Sequence, residues 1–144
     1  MTLVEVFRLF LHVRETSGAQ NQGMRVEAIQ KWGGGAKGDS YCCWLATMVL
    51  DLYYGGNSTI PRMGSVQEVY DLCEKLGYLT DTPQVGDLFF YINDAGHAHH
   101  IGMVTEVSPL VGIAGNTSPD GTSSNGDGVH EHPISATKFA RLPA

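Results

Sequence analysis

The sequence predicts an α+β fold in which helices come first and an antiparallel sheet follows. Apolar residues recur at helical spacing through the first half of the chain. After Pro83 they gather into short runs separated by turn residues, which is typical of strands. The chain has 144 residues, of which 42% are hydrophobic and 17% charged, so it is long and apolar enough to bury a core. We expect one domain that spans residues 1–144.

Helix boundaries in the first half follow from capping residues and glycines. Ser40 and Ser65 each stand where an N-cap is expected, because their hydroxyls can accept a backbone amide. Gly33–Gly35 and Gly55–Gly56 interrupt the apolar pattern and mark helix ends. The sequence therefore predicts four helices, at Leu3–Thr16, Met24–Trp32, Tyr41–Tyr54 and Val66–Leu76.

Short apolar runs in the second half predict the strands of the sheet. They lie at Asp87–Ile92, His99–Val107, Val111–Asn116, Val129–Ile134 and Lys138–Leu142. Asn93–Gly96 reads as a turn between the first two strands, and Ser118–Gly126 as a polar, glycine-rich loop.

Charge excludes two classes of partner. The net charge is −6, from 9 basic and 15 acidic residues. A nucleic-acid binder needs a basic face, and so does a protein that docks on an anionic membrane. The apolar stretch Leu3–Val13 carries charged residues and no cleavage site, so it predicts a packed helix and not a signal peptide. We expect a monomer that stays in the cytoplasm until it is released or exported to a cell wall.

A cysteine at the start of a predicted helix is the first candidate for chemistry. Cys42 follows a glycine-rich loop and lies in the first turn of the third helix, where unpaired amides and the helix dipole favour a thiolate. Thiolate is the nucleophilic form of cysteine. The alternative is that Cys42 and Cys43 are small core residues, as Cys73 is expected to be. An odd number of cysteines, two of them adjacent, favours reduced thiols over a disulfide framework.

Histidines cluster at the start of the second predicted strand. Alternation along a strand puts His97 and His99 on one face and His100 on the other, together with Gly102. A glycine on that face lets a helix approach closely, so we expect His100 to face the start of the cysteine helix. The spacing of the histidines matches no zinc pattern, and we predict neither a metal nor another cofactor.

The register of a hairpin supplies a third candidate. A turn centred on Ser108 pairs Thr105 with Val111, and His100 with Asn116. Residues directly opposite in an antiparallel ladder have Cβ atoms about 5 Å apart. Asn116 is therefore predicted to orient the imidazole, which gives a Cys-His-Asn triad for nucleophilic catalysis. The alternative is that Asn116 is an ordinary turn residue.

Several segments, taken in order, resemble CHAP domains, the cysteine, histidine-dependent amidohydrolases/peptidases of the NlpC-like, papain-fold group. The resemblance is to the compact phage and prophage endolysin-type versions, and it runs from about residue 18 to the end. The segments that carry it are Asn21–Glu27, Tyr41–Ala46, Pro83–Phe90, His100–Val104, and Ala114–Thr117 followed by Asp127–Val129.

The resemblance implies a papain-like fold and the roles of individual residues. It implies Cys42 as nucleophile rather than Cys43, His100 as base, and Asn116 as the residue that orients it. We expect Tyr41, Trp44 and His99 to line the substrate cleft. Many relatives carry Glu at the position of Ala114, and the acidic calcium cluster of some relatives is missing before Cys42.

The function that the resemblance implies is cleavage of an amide bond in peptidoglycan. The bond is either the one between the muramoyl group and alanine or one in the stem peptide or cross-bridge. Two alternatives stay open. One is a papain-fold hydrolase or acyltransferase that acts on another amide. The other is a non-catalytic binding module, which would not need a thiol of depressed pKa.

Overall fold

The structure is a computed structural model that describes residues 1–16, 21–35, 40–117 and 126–143. The helices are α1 (Leu3–Arg8), α2 (Met24–Gly33), α3 (Cys42–Tyr53) and α4 (Val66–Lys75). The strands are β1 (Leu79–Thr80), β2 (Leu88–Ile92), β3 (Ala98–Glu106), β4 (Val111–Thr117), β5 (Gly128–Pro133) and β6 (Lys138–Ala140). The chain is α+β, with its helices before its strands, as the sequence predicts.

The strands form one antiparallel sheet in the order β1-β6-β2-β3-β4-β5. β2, β3 and β4 are neighbours in the middle of this sheet. β3 is the longest strand, and α3 packs across β3 and β4. The start of the cysteine helix therefore meets the centre of the sheet.

The two faces of the sheet have different cores. On one side, the helix face, α3 packs its apolar residues against Ile101, Met103 and Ile113. On the other side, the far face, Phe89 and Val104 belong to a smaller cluster that the chain between β5 and β6 helps to cover. Because side chains alternate along a strand, the face on which a residue lies decides which core it joins.

The first helix is shorter than predicted, since it ends at Arg8 and not at Thr16. The chain then turns, and Arg14 forms an isolated bridge with Gly128 at the edge of β5. The Arg14 guanidinium also donates to the carbonyls of Val13 and Val129. This pairing with the sheet replaces the last turns of the helix. The predicted helix end at Ser17 lies outside the described residues.

The third helix begins at Cys42, and Ser40 does not cap it. The N-cap residue is Tyr41, which makes no capping side-chain hydrogen bond. Ser65 does cap α4 as predicted, because its hydroxyl accepts the amide of Glu68 at 3.2 Å. Leu52 follows the apolar spacing of α3 but is 56% exposed. It lies about 80° around the helix from Cys42, at the edge of the apolar stripe.

All five predicted strands are present, each within two residues of its predicted ends. β3, for example, runs over Ala98–Glu106 against a prediction of His99–Val107. The sequence pattern missed β1, whose two residues are too few to show alternation. Most of the predicted loop at Ser118–Gly126 lies outside the described residues.

The three cysteines are free thiols, as the sequence predicts. Cys42, Cys43 and Cys73 are all buried, and all three are free thiols. Within the ranges that the structure describes, none of the helices is long and apolar enough to span a membrane.

Candidate functional site

Polar groups enclose the thiol of Cys42, the first residue of α3. The hydroxyl oxygen of Ser40 lies 4.0 Å from Sγ. The backbone amide of Ile101 in β3 and the amides of Cys43 and Cys42 itself also donate toward the sulfur. Donors that converge on a sulfur at a helix N-terminus stabilise its negative form. The start of α3 and the middle of β3 together build this environment.

Asn116 holds the hydroxyl of Ser40 in place. Its amide nitrogen Nδ2 donates to Ser40 Oγ at 2.9 Å. Because the oxygen of Ser40 accepts this bond, its own proton is left to point at the sulfur of Cys42. Asn116 reaches this position through a left-handed backbone conformation with φ 54°, at an irregularity in the pairing of β4 with β5. Its Oδ1 is buried and has no partner among the described residues.

Burial dominates the pKa of Cys42 in this conformation. Desolvation raises the pKa of the thiol, and the donors from Ser40, Ile101 and the start of α3 offset part of that rise. The expectation of a depressed pKa from the helix N-terminus alone is therefore wrong here, because the thiol is 3% exposed. A thiol with a raised pKa needs a base beside it before it ionises at neutral pH.

The structure places His100 on the far face, away from α3. Its ring lies 6.2 Å from that of Phe89 and 5.6 Å from that of Tyr91, measured between centroids. The next residue, Ile101, points into the core beneath the helices. The prediction that His100 faces the cysteine helix is wrong in this conformation, because alternation along β3 gives the helix face to Ile101.

Gly102 follows the same pattern. It was expected to admit the helix, but a Cβ on Gly102 would collide with the Phe89 ring and with the carbonyl oxygen of Ile113. The glycine that α3 approaches is Gly115 in β4, where a Cβ would lie 3.0 Å from the side chain of Leu45.

His100 is buried without hydrogen bonds. Neither Nδ1 nor Nε2 has a partner among the described residues. Burial, together with the nearby His132 and His99, lowers the pKa of His100 to about 3, so the ring is neutral at neutral pH. A neutral imidazole with an unpaired donor and an unpaired acceptor stabilises the fold less than an apolar side chain of the same size.

The predicted hairpin register is correct in its middle and fails at both ends. Met103 pairs with Ile113 and Val104 with Gly112, as a turn centred on Ser108 requires. Val111 then pairs with Glu106 and not with Thr105, because β3 carries an irregularity there. The pairing of His100 with Asn116 is not formed, since Asn116 leaves the extended conformation and donates to Ser40.

The three residues expected to line a cleft have different surroundings. Tyr41 is fully buried and its hydroxyl donates to Glu15 at 3.2 Å, so its ring supports the site from inside and does not reach a substrate. Trp44 is half-buried and packs between Gly33 and Gly64, where a Cβ on either glycine would collide with the indole. His99 is exposed and lies beside Tyr91, with ring centroids 6.4 Å apart.

Sequence reasoning missed Ser40 as a contact of the thiol and treated it as a helix cap. The signal was its position two residues before Cys42, since a helix that starts at the cysteine leaves that hydroxyl close to the sulfur. The reasoning also missed the partners of two other histidines. His132 bonds Thr117 Oγ1 at 3.2 Å, and His130 pairs with Asp127 at 2.6 Å. In the part of the chain that the structure describes, no group of three His, Cys, Asp or Glu side chains is arranged to hold a metal ion.

Comparison with known proteins does not assign the chain. No family model matches it, and no curated protein is significantly similar to it. The geometry of the site and the motifs of the sequence therefore carry the functional argument.

Proposed function

We propose that this chain is a cysteine hydrolase with a papain-like arrangement, which cleaves an amide bond in bacterial peptidoglycan. The observation that carries the proposal is the set of donors around Cys42 at the start of α3. The hydrogen bond from Asn116 to Ser40 is partly buried, and it holds the Ser40 hydroxyl beside the sulfur. Ser40 is exposed, so the thiol lies just beneath the surface on that side.

His100 is the proposed general base, and the stability that the fold loses by burying its unpaired imidazole supports this role. Buried polar groups are almost always paired, and a buried group without a partner calls for an explanation such as catalysis. The backbone of His100 lies near the thiol, because the amide of the adjacent Ile101 is close enough to lower the pKa of Cys42. The imidazole itself points to the far face, so it must move to the helix face before it can act as a base.

The chemistry is acyl transfer in two steps. The thiol proton of Cys42 passes to His100, and the thiolate attacks the amide carbon to form a C–S bond. The backbone amide of Cys42 is the proposed donor to the resulting oxyanion. The imidazolium then protonates the leaving amine as the C–N bond breaks. A water molecule, deprotonated by His100, hydrolyses the thioester and restores the thiol.

Peptidoglycan is proposed as substrate because of the ordered motifs that resemble CHAP domains. The test is mass spectrometry of fragments released from purified peptidoglycan of several chemotypes. The Cys42→Ala variant should release none, and the matched Cys43→Ala variant should release the same fragments as the parent chain. The masses identify the bond. Release that persists in Cys42→Ala would refute the proposed nucleophile.

A wall preparation that yields no fragments would redirect the assignment. If iodoacetamide still alkylates Cys42 in a His100-dependent manner, the substrate is another amide. If the thiol is inert from pH 6 to 9, the chain is a binding module. Intact-mass analysis in a Cys43→Ala, Cys73→Ala background separates these outcomes, because all three cysteines are buried and desolvation raises the pKa of each.

A further inference from the structure

A β-bulge lies in β3 beside the two histidines. Tyr91 in β2 pairs with His100, and the next residue, Ile92, pairs with Ala98. His99 is therefore the extra residue, and His99 and His100 together lie opposite Tyr91. The ring contacts of both histidines with Tyr91 agree with this arrangement.

Pairing with β2 decides the face on which His100 lies, and the bulge returns the chain to the helix face at Ala98. Ala98 and Ile92 belong to the helix face, and so do Ile101 and Phe90 on the other side of the bulge. The two residues of a bulge that oppose one partner point to the same side as that partner. His99 and His100 consequently both point to the far face with Tyr91.

We propose that this bulge moves by one residue, from His99 to His100, and that the movement carries the imidazole of His100 to the helix face beside Cys42. After the move His99 alone pairs with Tyr91. His100 and Ile101 then oppose Phe90, which points to the helices. The inference rests on the proposed function for its purpose, since it delivers the base that Cys42 needs.

The movement leaves the rest of the sheet unchanged. Ala98 still pairs with Ile92, and Gly102 still pairs with Phe89, because the number of residues between these pairs stays the same. A slip of the whole strand would invert every side chain, whereas a shifted bulge inverts only one. Bulges near active sites commonly re-aim a side chain in this way.

Two features of the structure favour the shift. On the far face the imidazole has no hydrogen-bond partner, so little holds it there beyond its contacts with Phe89 and Tyr91. On the helix face it would join a site that already holds the amide of the neighbouring Ile101, the thiol of Cys42 and the hydroxyl of Ser40. An imidazole nitrogen pairs with a thiol there, as it does in cysteine hydrolases.

Disulfide trapping tests the movement directly. In a Cys43→Ala, Cys73→Ala background, the variant His100→Cys is incubated with glutathione disulfide, and its cross-link to Cys42 is followed by mass spectrometry. A disulfide needs Cβ atoms about 4 Å apart and turned toward each other, which the far-face position forbids. We expect the cross-link to form in His100→Cys and not in the matched variant His99→Cys, because His99 stays on the far face in both positions of the bulge. Equal trapping in both variants, or none in His100→Cys while Cys42 still forms a mixed disulfide with glutathione, would overturn the proposal.

Deletion of His99 tests the movement of the bulge without introducing a new thiol. The deletion removes the extra residue, gives a regular ladder and fixes His100 on the far face. We expect the deletion to abolish the His100-dependent part of the pH profile of Cys42 alkylation, as His100→Ala does, while His99→Gly, which keeps the chain length, retains it. A deletion variant that keeps this dependence would contradict the inference. If trapping succeeds and walls are still not cleaved, the proposed function fails and the bulge movement stands.

Discussion

Replacing His100 by leucine should stabilise the protein. The imidazole is 1% exposed and both of its ring nitrogens lack partners among the described residues. A buried polar atom without a hydrogen bond costs about 1–3 kcal/mol. Leucine has a similar volume and fits the apolar surroundings that Phe89 and Tyr91 provide. We therefore expect His100→Leu to raise the free energy of unfolding by about 2 kcal/mol at pH 7, which is about 1 M in the urea midpoint.

The difference in the free energy of unfolding between His100→Leu and the parent protein should depend on pH, and this dependence is a sharper test than the size of the difference. The pKa of His100 is lowered to about 3 in the folded chain, whereas the ordinary pKa of a histidine is 6.5. As the pH falls below 6.5, the unfolded chain therefore binds a proton at this residue before the folded chain does. The parent protein then loses about 1.4 kcal/mol of stability per pH unit over that range from this one group. His100→Leu escapes that loss, and its advantage should grow by about 2 kcal/mol between pH 7 and pH 5.

Urea unfolding at pH 7 and pH 5, followed by far-UV circular dichroism, measures both quantities. His99→Leu is the matched control, because it removes the exposed neighbouring histidine and leaves the buried His100 in place. An advantage of His100→Leu that is the same at both pH values would refute the assignment of His100 to a dry, unpaired position. A less stable variant at both pH values would refute it as well. The same variant should lose the proposed peptidoglycan cleavage, since stability and the proposed activity then make opposite demands on this position.

Three further predictions concern the thiol, the packing of the sheet and a buried carboxylate. Ser40→Ala should slow alkylation of Cys42 about tenfold at pH 7, because a hydrogen bond to a charged group contributes about 1.5 kcal/mol. Ser40→Thr keeps the hydroxyl and should keep the alkylation rate. An unchanged rate in Ser40→Ala would show that Ser40 is not part of the site. Gly102→Ala should cost about 3 kcal/mol in urea unfolding, because the new Cβ collides with the backbone of Ile113 and the ring of Phe89. Gly115→Ala should lower the free energy of unfolding less, because the new Cβ would lie 3.0 Å from the Leu45 side chain, which is flexible and can move. A larger loss in Gly115→Ala than in Gly102→Ala would contradict the assignment of the two faces. Asp87→Ala should cost about 2 kcal/mol, because the carboxylate is 2% exposed and accepts one bond from the amide of Gln84 and two from Arg141, which stays partly exposed. Asp81→Ala, whose partner Lys138 is exposed, should change the urea midpoint little, and equal effects of the two would show that Asp87 is not buried in solution.

Local sequence signals predicted the elements well because each has a local cause. Ser65 caps α4 through the amide of Glu68, and glycines with positive φ end α3 at Gly55 and Gly56. Alternating apolar residues predicted every strand except β1, which is only two residues long. The central pairs of the β3–β4 hairpin followed from the position of its turn. α1 was the exception, because pairing of Arg14 with Gly128, far away in the sequence, ends it early.

The features of the candidate site also divide into those with a local cause in the sequence and those that depend on distant residues. The sequence by itself determined that a cysteine begins a helix, that Asn116 lies near the end of the hairpin strand, and that three thiols stay free. Each of these depends on residues close together in the chain.

Only the tertiary structure decided which side chains meet. Pairing of β3 with β2 places His100 on the far face beside Tyr91, and a left-handed backbone at Asn116 sends its amide to Ser40. Alternation has a period of two residues, so the sequence shows which residues of β3 share a face but not which of the two faces meets the helices. The pKa of Cys42 likewise depends on how much of the helix start the sheet covers, which no local pattern records.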